Sequence, residues 1–288
     1  PWEYGDAAEM QRLSAKYAGA DQGKVTRVFG ANFIGRMSGK VVEAFVAKAD
    51  LLAASPAYSD QSGVDWKTAA ASAAKVLNHI GGVDGMDPTG WTWYCNVDDI
   101  EKLSPTESPA EILWRGERAK SLSLEEDNFP PTLYGNGRIN PTQNLVDAFP
   151  MLNGYPVSHL SGEYDENLPY ANRDPRLEAY ILYNGCKAGN TNKEIFTAAD
   201  GTTNDALNKV VGRSTRTGYY LRKLLRQDIS LDPNAKADQY HYTPRIRYTE
   251  IFLAYAEAAN QAYGPQDKGG NGYSAYDVVK KLRHRAGI

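Results

Sequence analysis

Arg247–Ile288 reads RYTEIFLAYAEAANQAYGPQDKGGNGYSAYDVVKKLRHRAGI, and these residues decide the fold class. Tyr248, Ile251, Phe252, Tyr255, Ala259 and Ala262 recur at steps of three and four, which lines one face of an α-helix. Gly264-Pro265 ends that helix, because proline lacks a backbone donor and biases the residue before it away from helical geometry. A Gly-rich loop follows. Ser274 then has the chemistry of an N-cap, Tyr276, Val279, Leu282 and Ala286 supply a second stripe, and Gly287 a terminator. Alanines on the inner faces let helices approach closely, as stacked helical repeats require. The segment is predicted to be an antiparallel helical hairpin.

A second such unit lies near the other end. Residues 39–55 predict a helix with Val41, Val42, Phe45, Val46, Ala49, Leu52 and Ala53 on or near one face, ended by Pro56. Asp65 caps an alanine-rich helix predicted over 66–80. In both pairs the helix starts lie about 26 residues apart, a repeat-like pitch without the strict 34-residue consensus. Residues 3–17 read as a less regular helix. Between 84 and 175 the character changes, with ten of the chain's 15 prolines and long Gly/Asn/Ser stretches. Such a segment cannot stay helical for long and is too aromatic for a simple linker. Strand-like runs occur at 111–115, 177–183 and 217–225, a short helix is predicted over 205–211, and 228–241 reads as loop. The predicted fold class is mostly α: tetratricopeptide-like helical hairpins forming a scaffold, with a long loop-rich insert carrying short β strands. Its parts are an N-terminal hairpin region (1–80), the insert (81–245) and the C-terminal hairpin (246–288), expected to form one continuous domain.

Composition narrows the chemistry. A net charge of −3 over 288 residues gives no general attraction to nucleic acid or anionic lipid. No uncharged apolar run approaches the roughly 18 residues that a membrane span needs. Cys95 and Cys186 are the only cysteines and leave open one bridge or two free thiols. Gly30–Ser38 (GANFIGRMS) approximates a phosphate-binding loop, but Arg36 and Met37 replace the lysine and the hydroxyl residue, so it reads as a loop entering a helix. His79, His159, His241 and His284 form no metal-ligand spacing, and Asp60–Asp65 lacks a calcium loop's closing glutamate. No metal or other cofactor is predicted. No Gly-x-Ser-x-Gly elbow occurs. Asp98, Asp99, Glu125, Glu126 and Asp127 are acids that a glycosidase could use, and they read equally as a helix cap and solvated surface. Arg213, Arg216, Arg222, Lys223 and Arg226 flank Tyr219-Tyr220 in the way of a nucleic-acid binder, but the alternation there favours a half-buried strand.

Nineteen tyrosines and five tryptophans, against seven phenylalanines, suit a wet binding surface as well as a core. Gly90–Asp99 reads GWTWYCNVDD. In an extended loop Trp91 and Trp93 fall on one side, Tyr94 on the other, and Asn96 and Asp98 supply polar groups nearby. A sugar ring has an apolar C–H face and a hydroxyl rim, which flat aromatics and Asn or Asp groups respectively match. Tyr134, in Leu133–Arg138 (LYGNGR), is a further candidate, whereas Trp66 and Trp114 belong to a regular helix and strand and read as core.

Four segments, in order, carry a family resemblance. GRMSGKVVEAFVAKADLLAASPAY (35–58), NPTQNLVDAFPMLNGYP (140–156), DPRLEAYILYNG (174–185) and the C-terminal hairpin together resemble the SusD/RagB family. The third of these is similar to a strand of that family. The resemblance implies a non-catalytic, surface-exposed binding protein of the outer membrane of Bacteroidetes. It would be lipid-anchored, capture an oligosaccharide, and pass it to a SusC-like TonB-dependent transporter. It also implies a signal, a lipidated cysteine and first helices upstream, and a closing segment after Gly287. A helical-repeat scaffold for a peptide or protein partner is the alternative, and a glycoside hydrolase a more remote one.

Overall fold

The computed structural model of the chain describes residues 3–17, 21–92 and 108–288. In chain order the helices are α1 (Ala7–Lys16), α2 (Gln22–Phe29), α3 (Gly39–Ala54), α4 (Ser59–Ser62), α5 (Trp66–Asn78), α6 (Ser123–Asn128), α7 (Gln143–Ala148), α8 (Pro175–Tyr180), α9 (Tyr248–Tyr263) and α10 (Ala275–Arg285). The strands are β1 (Ile112–Arg115), β2 (Ala119–Ser121), β3 (Ile181–Leu182), β4 (Lys187–Ala188), β5 (Lys193–Glu194), β6 (Tyr220–Leu221), β7 (Gln239–His241) and β8 (Pro244–Arg247). The described strands pair in antiparallel twos: β1 with β8, β2 with β7, β3 with β6, and β4 with β5. The chain is mostly helical, with a loop-rich segment bearing short strands. Helix starts follow their caps: the side chains of Asp6, Asp21, Ser38 and Asp65 accept from the backbone N–H groups of Glu9, Lys24, Val41 and Thr68.

The described residues fall into two compact units, one drawing on 3–17, 21–90, 108–118 and 242–282, the other on 91–92, 119–241 and 283–288. In the first, α5 packs against both α3 and α9. The contact is made by Ala44 and Ala47 of α3, Ala69, Ala70, Ala73 and Ala74 of α5, and Ala258 and Ala259 of α9, with Leu77, Ile251, Phe252 and Tyr255 filling the space between. The main neighbour of α9 is therefore α5 and not α10, its partner in sequence. Ala275 and Val278 of α10 join the same core, and Tyr255 Oη donates to the carbonyl of Tyr273 at 2.7 Å.

Two predicted stripes are out of register. In α3, Val42 (48% exposed), Phe45, Val46 and Leu52 face solvent, and the alanines face the core. In α10, Tyr276 and Val279 of the predicted stripe are exposed and Ala275 and Val278 are buried instead, while Leu282 and, just past the helix, Ala286 pack inward as predicted. Helices brought this close leave no room for branched or aromatic side chains, so the small residues win the inner face. Ser274 does cap α10, exchanging bonds with Asp277: its hydroxyl accepts from the Asp277 N–H at 3.2 Å, and the Asp277 carboxylate accepts from the Ser274 N–H at 2.9 Å.

The start of α9 lacks a cap from its own Arg247, and Glu111 supplies one from a distance in sequence. Glu111 is fully buried. Its carbonyl accepts from Tyr248 N–H (2.9 Å), and one carboxylate oxygen accepts from Thr249 N–H (3.1 Å), the Thr249 hydroxyl and Arg247 (3.0 Å). Anions are favoured at a helix N-terminus, and this one is also charge-paired.

The second unit is held by Phe129, Leu133, Leu182, Ala188, Ile195, Tyr220, Leu225, Ile229 and Leu231, with Val146, Leu177, Ile181 and Tyr219 in a smaller cluster. Here secondary structure departs from expectation. The run 177–183 is helical as far as Tyr180 and strand only at Ile181–Leu182. The cause is Asp174, whose carboxylate accepts from Arg176 N–H (2.9 Å), with Pro175 at the first helical position, a helix start written in the sequence. Only Tyr220–Leu221 of 217–225 is strand, 205–211 forms turns rather than a helix, and the loop 228–241 ends in β7. Cys186 is a free thiol buried in this core.

Ala44→Leu overpacks the helix contact and should cost about 1–3 kcal/mol in chemical denaturation, whereas Val42→Ala on the outer face should stay within about 0.5 kcal/mol. Glu111→Ala strips the partly buried Arg247 of its partner and α9 of its cap, and should lower stability by about 1–3 kcal/mol by the same measurement. Burial pushes the Cys186 thiol up to about 11. In a Cys95→Ser chain it should therefore resist a thiol-modifying reagent at pH 8 until the protein unfolds. Its contribution to stability should be complete below the ordinary thiol value and vanish as pH climbs through about 11. Fast labelling of the folded chain would contradict this.

Candidate functional site

Tyr134 stands on a backbone that few residues tolerate. Its φ is +65° and ψ 13°, in the left-handed region, yet its side chain is 45% exposed. A non-glycine residue held there costs on the order of 1–3 kcal/mol and persists only where the surroundings over-determine it. The surroundings do so. Tyr134 N–H donates to Pro131 O (2.9 Å), Gly137 N–H to Phe129 O (3.0 Å) and Arg138 N–H to Asp127 O (3.0 Å), while Arg213 donates to Gly135 O (3.0 Å). A Cβ on Gly135 would lie 2.1 Å from the Phe129 carbonyl oxygen, so only glycine lets the chain turn there.

The ring of Tyr134 borders a cup of about 240 Å³. Its floor is Phe129, Leu133, Ile229 and Leu231; its walls are Asn190, Thr191 and Lys193 from the β4–β5 hairpin, and Ser230 and Asp232 from the loop before β7. Lys193 Nζ sits 5.5 Å from the centre of the Tyr134 ring. The second wall is anchored beneath: the buried Glu125 of α6 accepts from Arg226 N–H (2.8 Å) and pairs with His241 (2.9 Å), and Arg226 is paired with Asp228 (2.6 Å). An exposed ring, amide and hydroxyl groups, one carboxylate and one ammonium converge on a space too small for a fully enclosed ligand, since such pockets run to about 300–1,000 Å³.

A larger cleft of about 460 Å³ in the same unit is lined by Ile139, Leu145, Phe149, Tyr180, Ile181 and Leu221, among others. It is apolar apart from Lys223, which lies over the Tyr180 ring, and the Asp174–Arg176 pair. A sugar's hydroxyl rim finds few partners there. Size favours this cleft, but chemistry favours the cup.

Of the residues singled out from sequence, Tyr134 lies at the cup. Trp91 is half-buried, and its carbonyl accepts from the Tyr180 hydroxyl. Trp93, Tyr94, Asn96 and Asp98 lie outside the described residues, as does Asp99. Glu125, Glu126 and Asp127 are each engaged, with His241, Lys236 (3.0 Å) and Arg138 (3.2 Å) respectively. Asp232 is the one carboxylate among the cup's described lining residues, so no acid pair faces it. Among the described residues no cluster of His, Cys, Asp or Glu can hold a metal ion, and no helix is long and apolar enough to cross a membrane. Sequence reasoning missed Asn190, Thr191, Lys193, Ser230 and Asp232. They are ordinary loop residues until folding assembles them, although Asn190–Asn192 between two short polar runs carries a weak turn signal.

The SusD family model matches residues 114–288, and the chain belongs to the SusD family. Among solved structures, a protein from Bacteroides fragilis NCTC 9343 described as a SusD-like carbohydrate binding protein is 21% identical with a TM-score of 0.62, over 98% of this chain and 49% of that one. A second from the same organism, described as a SusD-like protein, is 23% identical with a TM-score of 0.63, over 92% of this chain and 51% of that one. These likenesses show a shared fold, and the chain spans about half the length of either structure. No curated protein matches it.

The cup makes a local prediction. Gly135→Ala should cost upwards of about 2 kcal/mol by denaturation, and Tyr134→Asn, which suits left-handed backbone, should leave stability equal or higher.

Proposed function

We propose that the cup receives one ring of an oligosaccharide, with the Tyr134 face against the sugar's C–H surface and Asn190, Thr191, Ser230 and Asp232 meeting its hydroxyls. The observation that carries this reading is Tyr134 itself: an exposed aromatic held rigidly at the cost of backbone strain, which is typical of sites where geometry serves a ligand. Membership of the SusD family and the carbohydrate-binding description of one relative support it. Fully burying a large apolar side chain is worth about 1.5–3 kcal/mol, so covering the exposed face of Tyr134 supplies part of that, and with a few hydrogen bonds the expected capture is weak, in the micromolar-to-millimolar range.

On this reading the chain is a non-catalytic nutrient-binding protein of the cell surface, lipid-anchored at the outer membrane of a member of the Bacteroidetes. It hands oligosaccharide to a SusC-like TonB-dependent transporter. The Trp91–Asp98 segment is proposed as a second contact region. One observation favours the alternative of a scaffold for a protein partner: Val42, Phe45 (40% exposed), Val46 and Leu52 form an apolar outer face on α3.

Calorimetric titration separates the readings. Oligosaccharides should release heat and short peptides none, with no reducing sugar produced. Tyr134→Asn should lower the affinity for neutral oligosaccharides at least about tenfold, or 1.4 kcal/mol, without loss of stability, and Trp93→Ala should weaken it if that segment also touches ligand. A response to peptides alone, or full neutral-oligosaccharide affinity in Tyr134→Asn, would overturn the assignment.

A further inference from the structure

Arginine is concentrated in a cleft of about 430 Å³ in the first unit, walled by the loop before α3 and by β1, β8 and the turn after β1. Arg36, Arg115, Arg118 and Arg245 line it beside Trp114, and Glu117 is the one carboxylate among its described lining residues. Such a concentration is not a by-product of a basic protein, since the whole chain carries a net charge of −3.

Two guanidinium groups at the cleft are mounted on rings. Arg245 lies over Trp114 at 4.6 Å and Arg36 over Phe33 at 4.7 Å. Both residues are exposed, and among the described residues neither guanidinium makes an ion pair. A guanidinium held over a ring can still offer N–H groups to an oxyanion, and the ring contact restrains it at a lower entropic cost than a free side chain. Trp114 is itself fixed. Its indole N–H donates to Gly35 O at 2.7 Å, tying the loop to β1, and its ring meets Phe45 edge-on at 5.7 Å. Behind the rim, Arg115 is buried, with Nε donating to the Ser108 hydroxyl (3.0 Å) and Nη1 to Gly116 O (3.1 Å). Trp114 thus packs partly on the core, as its strand position predicts, while another part of it lines a charged opening.

We propose that this cleft recognises the oxyanion of an acidic saccharide, a uronate carboxylate or a sulfate half-ester, through the stacked guanidinium forks of Arg36 and Arg245 with Trp114 as the apolar wall. A neutral sugar offers these forks nothing that water does not, whereas a carboxylate or sulfate accepts both N–H groups of one fork. The inference rests on the oligosaccharide reading for the kind of molecule bound, but on none of the cup's residues.

The test is titration calorimetry of the chain with a trigalacturonate, a sulfated disaccharide, the matching neutral sugars, sodium sulfate and a short oligoglutamate peptide. An acidic saccharide should bind more tightly than its neutral counterpart and lose affinity as salt rises from about 0.05 M to about 0.5 M. The Arg36→Gln/Arg245→Gln variant should weaken it at least about tenfold with an unchanged unfolding midpoint. Tyr134→Asn should leave that affinity intact. If the acidic saccharides bind no better than the neutral ones, or bind the double variant equally well, the proposal fails while the cup reading stands. If oligoglutamate or free sulfate outcompetes every saccharide, the saccharide half of the proposal is wrong. In the unmodified chain, acidic saccharides binding while no neutral sugar does would support the cleft and sink the cup.

Discussion

The first unit depends on how closely helices can approach when alanine lines the contact. A methyl side chain lets α5 lie against both α3 and α9, and backbone packing then excludes water over the length of the helices. Larger residues fill only the gaps, as Leu77, Phe252 and Tyr255 do. The arrangement leaves little tolerance, because an added methylene has nowhere to go. It also explains why α3 presents its bulky apolar residues outward: the inner face is already taken. Glu111 adds a polar constraint to this steric one, since its buried carboxylate both caps α9 and pairs with the partly buried Arg247.

The second unit has no comparable helical frame. Its short antiparallel pairs and turns are held by side chains that reach across many residues, as when Arg226 and His241 converge on Glu125, or Asp205 accepts from Thr132 N–H. Asp205 is fully buried, and burial raises its pKa against the side-chain and backbone hydrogen bonds from Thr132, so this scaffold carries some electrostatic cost. Rigidity so obtained is what permits Tyr134 to remain in a conformation it would otherwise leave. The strain is local, and the bonds that hold it belong to the loop and to Arg213.

Three openings differ in kind, and the difference decides what each can take. The cup offers a ring with mixed polar groups, the cleft beside Tyr180 offers apolar surface, and the opening at Trp114 offers stacked cations. Volume alone ranks them wrongly for a hydroxyl-rich ligand, since unpartnered hydroxyls against Leu145 and Ile139 cost more than contact area returns. Polarity matched to ligand is the better guide.

The sequence by itself determined where several helices start and stop, because their capping and termination are local chemistry, whereas the cap of α9 comes from the distant Glu111. Ser38, Asp65, Ser274 and Gly264 act within a turn of their own position. Even the misjudged 177–183 run carried its answer in Asp174-Pro175. Periodicity also marked α9 correctly, since nearly every member of its stripe is buried. Tertiary structure alone decided which face of α3 and α10 turned inward, because that choice depends on how near the partner helix lies, and no local window contains the partner. The same holds for the site. Tyr134 stood out as an aromatic in a glycine loop, whereas Lys193 and Asp232 reach it from hairpin and loop positions far along the chain. Trp114 read as strand core because its neighbours in sequence made it so, and only the pairing of β1 with β8 set Arg245 over its ring.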